Sequence, residues 1–205
     1  MQPQYKHNTY YLVRHGEAEN NILGVTNATF RGEYALTDQG RKQIEILAHS
    51  LCDESIDFIV ASPLRRAEET AEILEQSLKV PLSFDIRLCE PQFGSFEGKD
   101  IRSFLDFMET HGGRTTGDLE LGIEGYMDIR ERVRSFLGAL NETFQGKRVV
   151  VVSHADTLQE IYAELVGEPV GAEQKVWYPK NGSCLVASEV QIMELAPSGR
   201  GLTLR

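Results

Sequence analysis

The sequence predicts an α/β protein, a three-layer α/β/α sandwich with a mostly parallel central sheet. Short runs of β-branched and aromatic residues recur along the chain, and segments whose apolar residues have helical spacing lie between them. Strands separated by such helices need crossover connections, which favour a parallel sheet covered on both faces. The 205 residues, 41% of them hydrophobic, can bury a full core, so we expect a single domain over residues 1–205.

Four short runs are the predicted strands: "TYYLVR" (9–14), "DFIVAS" (57–62), "RVVVVS" (148–153) and "CLVASEV" (184–190). Three of them are nearly continuous in apolar character, which is typical of strands that are buried on both faces. The sheet is therefore expected to lie in the middle of the molecule, with helices on either side.

Four further segments place their apolar residues on one helical face. The stripes are Ile44, Leu47, Ala48 and Leu51; Leu64, Ala67, Ala71, Leu74 and Leu78; Ile129, Val133, Phe136 and Leu140; and Leu158, Ile161, Tyr162 and Leu165. Each stripe predicts a helix that packs against the sheet. The segment from about 93 to 124 breaks this alternation, because it is glycine-rich and holds a polar stretch, "THGGRTTGDLELG", beside a short aromatic piece, "FLDF". We interpret it as a short excursion over the sheet and a candidate lid.

The charge of the chain limits the classes of partner. There are 31 acidic and 21 basic residues, a net charge of −10, which disfavours nonspecific attraction to nucleic acid or to an anionic membrane. An anionic substrate must therefore be attracted locally, by a few clustered arginines. The start, "MQPQYKHNTYYLV", lacks the pattern of a signal peptide, and no apolar run approaches the length of a membrane span. We expect a soluble, cytoplasmic protein.

The cysteine and histidine patterns predict neither a disulfide framework nor a metal site. Cys52, Cys89 and Cys184 are an odd number without C-x-x-C spacing, and H-E-x-x-H and H-x-H motifs are absent from the sequence. The three cysteines are interpreted as small, reduced core residues.

Two histidines follow predicted strands directly. His15, between Arg14 and Gly16, comes at the end of the first strand, and His154 comes at the end of "RVVVVS". In a parallel α/β sheet, ligands bind beyond the carboxyl ends of the strands. The two imidazoles are therefore expected at equivalent places on one edge of the sheet.

A third strand leads into two adjacent arginines. In "SPLRRAEET", Ser62 is a good helix N-cap and Pro63 a good first helical residue, which would place Arg65 and Arg66 in the first turn. The helix dipole disfavours cations there, so the pair indicates that an anion is expected. Helix-start amides and arginine forks both suit phosphate. Two solvated surface arginines are the alternative.

Five ordered blocks carry a resemblance to a known family. The blocks are "LVRHGEAENN", "LTDQGRKQ", "ASPLRRAEETA", "LCEPQFGSFEG" and "VVVVSHADTL". From about residue 9 to 166 the chain resembles the histidine phosphatase superfamily, in its phosphoglycerate mutase-like branch. The resemblance implies a phosphomonoester hydrolase that forms a phosphohistidine and yields the phosphoryl group to water. The residues implied are His15 as nucleophile, Glu90 as proton donor, and Arg14, Arg66, His154 and Asn21 as phosphate ligands.

Phosphoryl transfer gives these roles a chemical reason. A neutral imidazole nitrogen must attack phosphorus while fixed cations neutralise the equatorial oxygens, and two arginines with a protonated His154 could do so without a metal. His15 must keep a proton on its other nitrogen, which needs an acceptor such as a backbone carbonyl. Glu90 can donate a proton only if its pKa is raised, by burial or by the charge of the incoming phosphate.

The chain departs from the pattern of the family at three positions, the third being a second arginine at position 65. Ala18 stands where many relatives have a hydroxyl residue. Ala155 stands where glycine is frequent, although its amide could still bind phosphate if the backbone angle φ is negative. Arg66 is preferred over Arg65 as the ligand because it directly precedes the alanine of "R-A-x-x-T", which leaves Arg65 at the surface.

Several residues around the predicted site remain open to interpretation. Three cations of the excursion could meet a second anionic group of the substrate, although solvated surface charge is preferred: Lys99, Arg102 and Arg114. Five apolar residues could form a pocket wall or only the core of the lid: Phe93, Phe96, Phe104, Phe107 and Met108. Trp177 and Tyr178 are expected to pack, and their turn could approach the site.

Two other functions are weighed against hydrolysis. A mutase would return phosphate to another hydroxyl of a sugar acid, but the interval from Glu90 to His154 leaves room only for a short lid, whereas the resemblance implies a longer insertion in mutases. A noncatalytic phosphate-binding protein would need neither nucleophile nor acid. We therefore expect hydrolysis of a small phosphorylated substrate, a phosphosugar or phosphoacid, without a cofactor. The sequence leaves the oligomeric state open.

Overall fold

The computed structural model describes residues 1–5, 7–30, 34–114, 121–169, 177–188, 192–195 and 201–203. The described strands are β1 Thr9–Arg14, β2 Phe58–Ala61, β3 Leu82–Phe84, β4 Arg148–Ser153, β5 Cys184–Ala187, β6 Ile192–Leu195 and β7 Gly201–Thr203. The α-helices are α1 Glu19–Leu23, α2 Asp38–Leu51, α3 Arg65–Leu78, α4 Ile101–His111, α5 Tyr126–Thr143 and α6 Ala155–Val166. Single 3₁₀ turns lie at Pro3–Tyr5, Ile86–Leu88 and Gly94–Phe96.

The strands form one sheet in the order β3-β2-β4-β1-β5-β6-β7. The ladders β1–β4, β2–β4 and β2–β3 are parallel, whereas β5, β6 and β7 add to β1 through antiparallel ladders. The predicted fold class, with a mostly parallel central sheet, is confirmed. The prediction missed β3, β6 and β7; β3 and β7 have only three residues each, too few to show a clear period of two.

Alternation along β1 divides the core into two layers. Tyr10 and Leu12 pack with apolar residues of α5 and α6, while Tyr11 and Val13 pack on the opposite face with those of α2 and α3. All four predicted helices are present, and their stripes supply these layers. The three-layer architecture therefore follows from strands that are apolar on both faces.

Boundaries differ from the predictions at two places. The run 184–190 contributes a strand only over Cys184–Ala187, and residues 189–190 lie outside the described residues. Ser62 is not the N-cap of α3, because Leu64 takes that position and the helix begins at Arg65. Ser62 is instead buried and its hydroxyl accepts a hydrogen bond from the backbone amide of Leu64 at 3.3 Å.

The segment 93–124 has its own small core. It contains a 3₁₀ turn and α4, and its residues 115–120 lie outside the described residues. Phe93, Phe104 and Ile123 form an apolar cluster with Ala28 of the loop after α1. The rings of Phe93 and Phe104 meet edge to face with centroids 4.9 Å apart. This cluster anchors the segment against the loop that follows β1 and α1.

Two interpretations of individual side chains are wrong. Cys52 is exposed at the end of α2, so only Cys89 and Cys184 are buried cysteines. Arg114 is not a surface residue, because only 2% of it is exposed. Among the described helices, none has the length and apolarity that crossing a membrane requires.

Gly40, in the first turn of α2, packs directly on the backbone that follows His15. A Cβ atom at this position would lie 2.0 Å from the carbonyl oxygen of Glu17. We expect Gly40→Ala to lower the free energy of unfolding by about 3 kcal/mol, because backbone cannot move aside as a flexible side chain can. Urea unfolding measures the change.

The matched control is Gly138→Ala inside α5, where no atom lies within 4 Å of the new methyl group. It should raise the free energy of unfolding by up to about 1 kcal/mol through helix propensity alone. Equal effects of the two variants would contradict the packing argument.

Candidate active site

His15 lies at the carboxyl end of β1, as predicted, with 1% of the residue exposed. Its Nδ1 is 2.7 Å from the carbonyl oxygen of Gly16, which can only accept a hydrogen bond. The proton of the neutral imidazole therefore sits on Nδ1, and the lone pair sits on Nε2. This is the carbonyl acceptor that the chemistry of a histidine nucleophile requires.

Arg66 donates a hydrogen bond to the lone pair on Nε2 of His15. Its Nε donates to His15 Nε2 at 3.1 Å, and the rest of the guanidinium donates to the side-chain and backbone oxygens of Asn27 at 2.8 and 2.9 Å. Arg66 is 2% exposed, and burial lowers its pKa to about 10, so it remains a cation at neutral pH. The structure thus places a fixed positive charge directly beside the imidazole.

His154 forms the N-cap of α6 at the end of β4 and is fully buried. Its Nε2 is 2.8 Å from the Ser62 hydroxyl, and its ring centroid is 5.0 Å from that of His15. Its Nδ1 lies 4.0 Å from Glu90 Oε2, beyond hydrogen-bond distance. His15, His154 and Ser62 follow β1, β4 and β2. The parallel pairing of β4 with β1 and with β2 brings these three side chains together, since all three strands end at the same edge of the sheet.

The surroundings of both imidazoles favour the neutral form. Burial, followed by the positive charge of Arg66, holds the pKa of His15 and of His154 well below the usual histidine value. The protonated His154 expected during phosphoryl transfer stays a prediction, because a bound phosphoryl group would add negative charge beside the ring. A neutral His154 can still donate one ring N–H to a phosphate oxygen.

Glu90 has the environment of a general acid. Burial, and then the charge of Asp156, raises the pKa of this carboxyl from its usual value to about 7. Arg66 and Arg14 lower it in part. The raised pKa keeps the acid form of Glu90 available closer to neutral pH than an ordinary glutamate would allow, as proton donation requires.

Arg14 reaches the same cleft from the last position of β1. Its Nη1 donates to the carbonyl oxygen of Pro179 at 2.9 Å, and its guanidinium carbon lies 6.0 Å from the ring centroid of Tyr178. Its Nε, like Nδ1 of His154 and Oε1 of Glu90, is buried with no hydrogen-bond partner in the described part of the chain. Buried polar atoms are normally paired, so three such atoms in one place indicate a site built for a polar ligand.

Asn21 and Ala155 lie on the wall of the cleft, and their roles as phosphate ligands stay predictions. The side-chain oxygen of Asn21 accepts from the amides of Ala18 and Asn181 at 3.0 and 3.1 Å, so only its NH₂ group could donate to a ligand. Ala155 is the first residue of α6, and its helical conformation gives the negative φ that the prediction required. Its amide belongs to the helix start, where intrahelical acceptors are lacking.

The cleft has a volume of about 230 Å³. It opens between the carboxyl end of β1, the first turn of α6 and the segment 93–124. Besides Arg14, Glu90 and Asp156, its wall is mostly apolar or amide-bearing. Four of the residues around the site were missed as site residues by sequence reasoning: Asn27, Ser62, Asp156 and Asn181. Ser62 and Asp156 stand within matched blocks, so the blocks held a signal for them. Asn181 belongs to the turn after Tyr178 that could approach the site, whereas Asn27 had no signal.

Two histidines and two arginines that meet beyond the carboxyl ends of parallel strands define an α/β protein built to hold an anion beside an imidazole. A model of the histidine phosphatase superfamily (branch 1) matches residues 10–189, and the chain belongs to this family. Sequence relatives divide between two activities. A probable phosphoglycerate mutase GpmB of Salmonella paratyphi A is 32% identical over 176 residues, covering 81% of this chain and 78% of the relative. A putative phosphoserine phosphatase 2 of Hydrogenobacter thermophilus is 32% identical over 162 residues, covering 77% and 78%.

Solved structures share the fold over most of the chain. A mycobacterial glucosyl-3-phosphoglycerate phosphatase complexed with VO3 superposes with a TM-score of 0.76 at 23% identity, covering 88% of this chain and 90% of that one. A putative alpha-ribazole-5'-P phosphatase from Escherichia coli superposes with a TM-score of 0.72 at 25% identity, covering 95% and 94%. The chain is thus similar in sequence to a probable mutase and to a putative phosphatase, and similar in fold to solved phosphatases.

Proposed function

We propose that this protein is a phosphomonoester hydrolase that works through a phosphohistidine on Nε2 of His15, with Glu90 as general acid and no metal. The observation that carries the proposal is the fixed tautomer of His15. Gly16 holds the proton on Nδ1, so the lone pair of Nε2 faces Arg66 Nε, and the raised-pKa carboxyl of Glu90 lies 4.0 Å from Nδ1 of the neighbouring His154. Mere anion binding would require neither the lone pair nor the acid.

In the first half-reaction, Nε2 of His15 forms a bond to phosphorus as the bond from phosphorus to the ester oxygen breaks. Glu90 passes its proton to the departing oxygen, and the alcohol leaves neutral. Before the substrate enters, Arg66 Nε–H donates a hydrogen bond to His15 Nε2. As the substrate enters, this N–H must exchange that acceptor for a phosphoryl oxygen. The nucleophile is thereby released only when a phosphoryl group is present.

In the second half-reaction, water attacks the phosphohistidine. Glu90, now a carboxylate, takes a proton from the water, the new bond from phosphorus to oxygen forms, and the bond to Nε2 breaks. Inorganic phosphate leaves and His15 regains its lone pair. The donors proposed for the phosphoryl oxygens are Arg14, Arg66, Nδ1–H of His154, the Asn21 side-chain amide and the Ala155 backbone amide. In this proposal the donors are in position before the reaction starts, so they stabilise the negative charge that develops on the phosphoryl oxygens.

The proposal extends to the substrate class and to the cellular compartment. The relatives named as phosphatases support a small phosphorylated substrate, and the three free cysteines suit a reducing compartment such as the cytoplasm. The single domain over residues 1–205 and the lid role of the segment 93–124 are part of the same proposal. A phosphosugar or phosphoacid was expected from the sequence, but the wall of the cleft favours a different alcohol, as argued below.

Phosphate release decides between the hydrolase and the mutase, the second candidate that the GpmB relative favours. The segment between Glu90 and α5 is short, so we expect water to reach the phosphohistidine, whereas closure would protect it. Protein primed with 2,3-bisphosphoglycerate should release phosphate from its best ester faster than it interconverts 3-phosphoglycerate and 2-phosphoglycerate. Faster interconversion would establish the mutase instead.

Chelators should leave the activity unchanged. Arg14 and Arg66 supply positive charge where a metal would otherwise neutralise the phosphoryl oxygens. Turnover of p-nitrophenyl phosphate is measured before and after prolonged treatment with EDTA. Activity that disappears in EDTA and returns with a divalent metal would show that these arginines do not suffice.

A further inference from the structure

The outer wall of the cleft is apolar. Away from Arg14 and Glu90, five apolar side chains line it: Val25, Phe93, Ile101, Phe104 and Leu105. Phe93 and Phe104 are nearly buried and held by their edge-to-face contact, while Leu105 on α4 is 55% exposed. The wall also carries the polar side chains of Thr26, Asn27 and Tyr178, but the alcohol part of a bound phosphate ester would meet more hydrocarbon and aromatic surface than hydrogen-bonding groups.

Among the described residues of this outer wall, Asp156 supplies the one carboxylate, and its side chain is 27% exposed. Behind it lies Arg114, whose side chain is 1% exposed and whose Nε is 3.3 Å from Asp156 Oδ2. The Arg114 guanidinium also lies 4.9 Å from each of the Phe93 and Phe104 rings, and its Nη1 donates to two backbone carbonyls. The carboxylate faces the cleft, and the cation is kept behind it.

Cations that could recognise a second anion are lacking on the described wall of the cleft. Arg14 lines the cleft but belongs to the phosphate end. Lys99 and Arg102 are exposed and do not line it, and the Lys99 ammonium lies 5.6 Å from the ring centroid of Phe96. A carboxylate or second phosphate on the substrate would instead approach the Asp156 carboxylate, and the two negative charges would repel each other.

We infer that the cleft selects phosphomonoesters of small, uncharged, apolar alcohols, and that Asp156 rejects substrates that carry a second anionic group. This inference rests on the proposed hydrolase function. It assigns the aromatic cluster a role as pocket wall as well as core of the segment, and it assigns Arg114 to holding Asp156 rather than to binding substrate.

Three esters of primary alcohols separate apolarity from charge. Benzyl phosphate and glycerol 3-phosphate are both free of a second anion, so their ratio of kcat/KM measures the preference for apolar surface. Glycerol 3-phosphate and 3-phosphoglycerate differ by a carboxylate in place of a CH₂OH group, so their ratio measures the rejection of charge. We expect about tenfold or more in the first ratio. The second ratio should also be about tenfold, in favour of glycerol 3-phosphate.

Two variants shift one ratio each. Asp156→Asn should bring the second ratio close to one, because Arg114, whose Nη2 is buried and has no partner in the described chain, then faces the substrate carboxylate uncompensated. Any change that this variant makes to the acidity of Glu90 acts on all three esters and cancels in the ratios. Leu105→Ser should reduce the first ratio, and its exposure makes loss of folding no obstacle. The matched controls are Asp53→Asn and Ile46→Ser, both exposed and outside the cleft, which should leave both ratios unchanged.

The outcomes separate this inference from the proposed function. If none of the esters, including p-nitrophenyl phosphate, releases phosphate in a reaction that requires His15, the hydrolase function fails and the inference fails with it. If phosphate is released but 3-phosphoglycerate matches or exceeds glycerol 3-phosphate, or glycerol 3-phosphate matches benzyl phosphate, only the inference is overturned. If Asp156→Asn leaves the preference for glycerol 3-phosphate over 3-phosphoglycerate unchanged, Asp156 is not the cause of that preference.

Discussion

Replacing His15 with alanine should abolish turnover and, with it, a trapped phosphoprotein. Rapid acid-free quenching of the wild-type protein with ³²P-labelled substrate should give a base-stable adduct that is lost in acid, as expected of a phosphoramidate. His15→Ala should form none, and its kcat should fall by at least about 10⁴-fold, since loss of a nucleophile removes the whole covalent route. The reason is geometric: Gly16 fixes the tautomer that exposes the lone pair of Nε2.

His49→Ala is the matched control, because His49 is exposed in the last turn of α2, away from the cleft. It should keep both the adduct and the rate. An acid-stable adduct, or a labile one that survives in His15→Ala, would place the phosphoryl group on another residue and refute the assignment of the nucleophile.

The positions of the two histidines could be predicted because the sheet sets them. An apolar run buried on both faces reads directly as a strand, and strands that run in parallel end at one edge. His15 and His154 each follow such a run, so their meeting follows from the pairing of β1 with β4. Local sequence sufficed for this part of the site.

Contacts between residues distant in sequence could not be predicted in the same way. Ser62 has the composition of an N-cap, but the chain takes two more residues before α3 begins, and the hydroxyl bonds to His154. Asn27 holds Arg66 across 39 positions, in a loop with no periodic pattern. Only the folded chain shows which of several polar side chains a buried guanidinium selects.

Arg114 shows the limit of an argument from composition. A lone arginine in a polar, glycine-rich stretch is usually solvated. Here the rings of Phe93 and Phe104, in the same segment, lie 4.9 Å from its guanidinium carbon, and Asp156 on α6 pairs with it. Burial of such a charge depends on a carboxylate outside the segment and on ring packing that the local sequence does not reveal.

Glu90→Gln should slow hydrolysis of an alkyl phosphate by about 10²–10⁴-fold, the usual contribution of a general acid. The alkoxide is a poor leaving group and needs the proton, whereas the phenolate of p-nitrophenyl phosphate leaves readily, so the same variant should cost that ester much less. Glu131→Gln, on the exposed face of α5, is the matched control and should change neither rate.

The dependence of this reaction on pH tests the same carboxyl independently. Burial raises the pKa of Glu90 to about 7, so the acid form is present at low pH and is lost as the pH rises through that value. Because kcat/KM reports the free enzyme, its value for the alkyl ester should decline above a pH of about 7 in the wild type. In Glu90→Gln that decline should disappear, since glutamine has no proton to lose. A variant that slows both esters equally and keeps the decline would assign Glu90 a structural role and leave the leaving group to another acid.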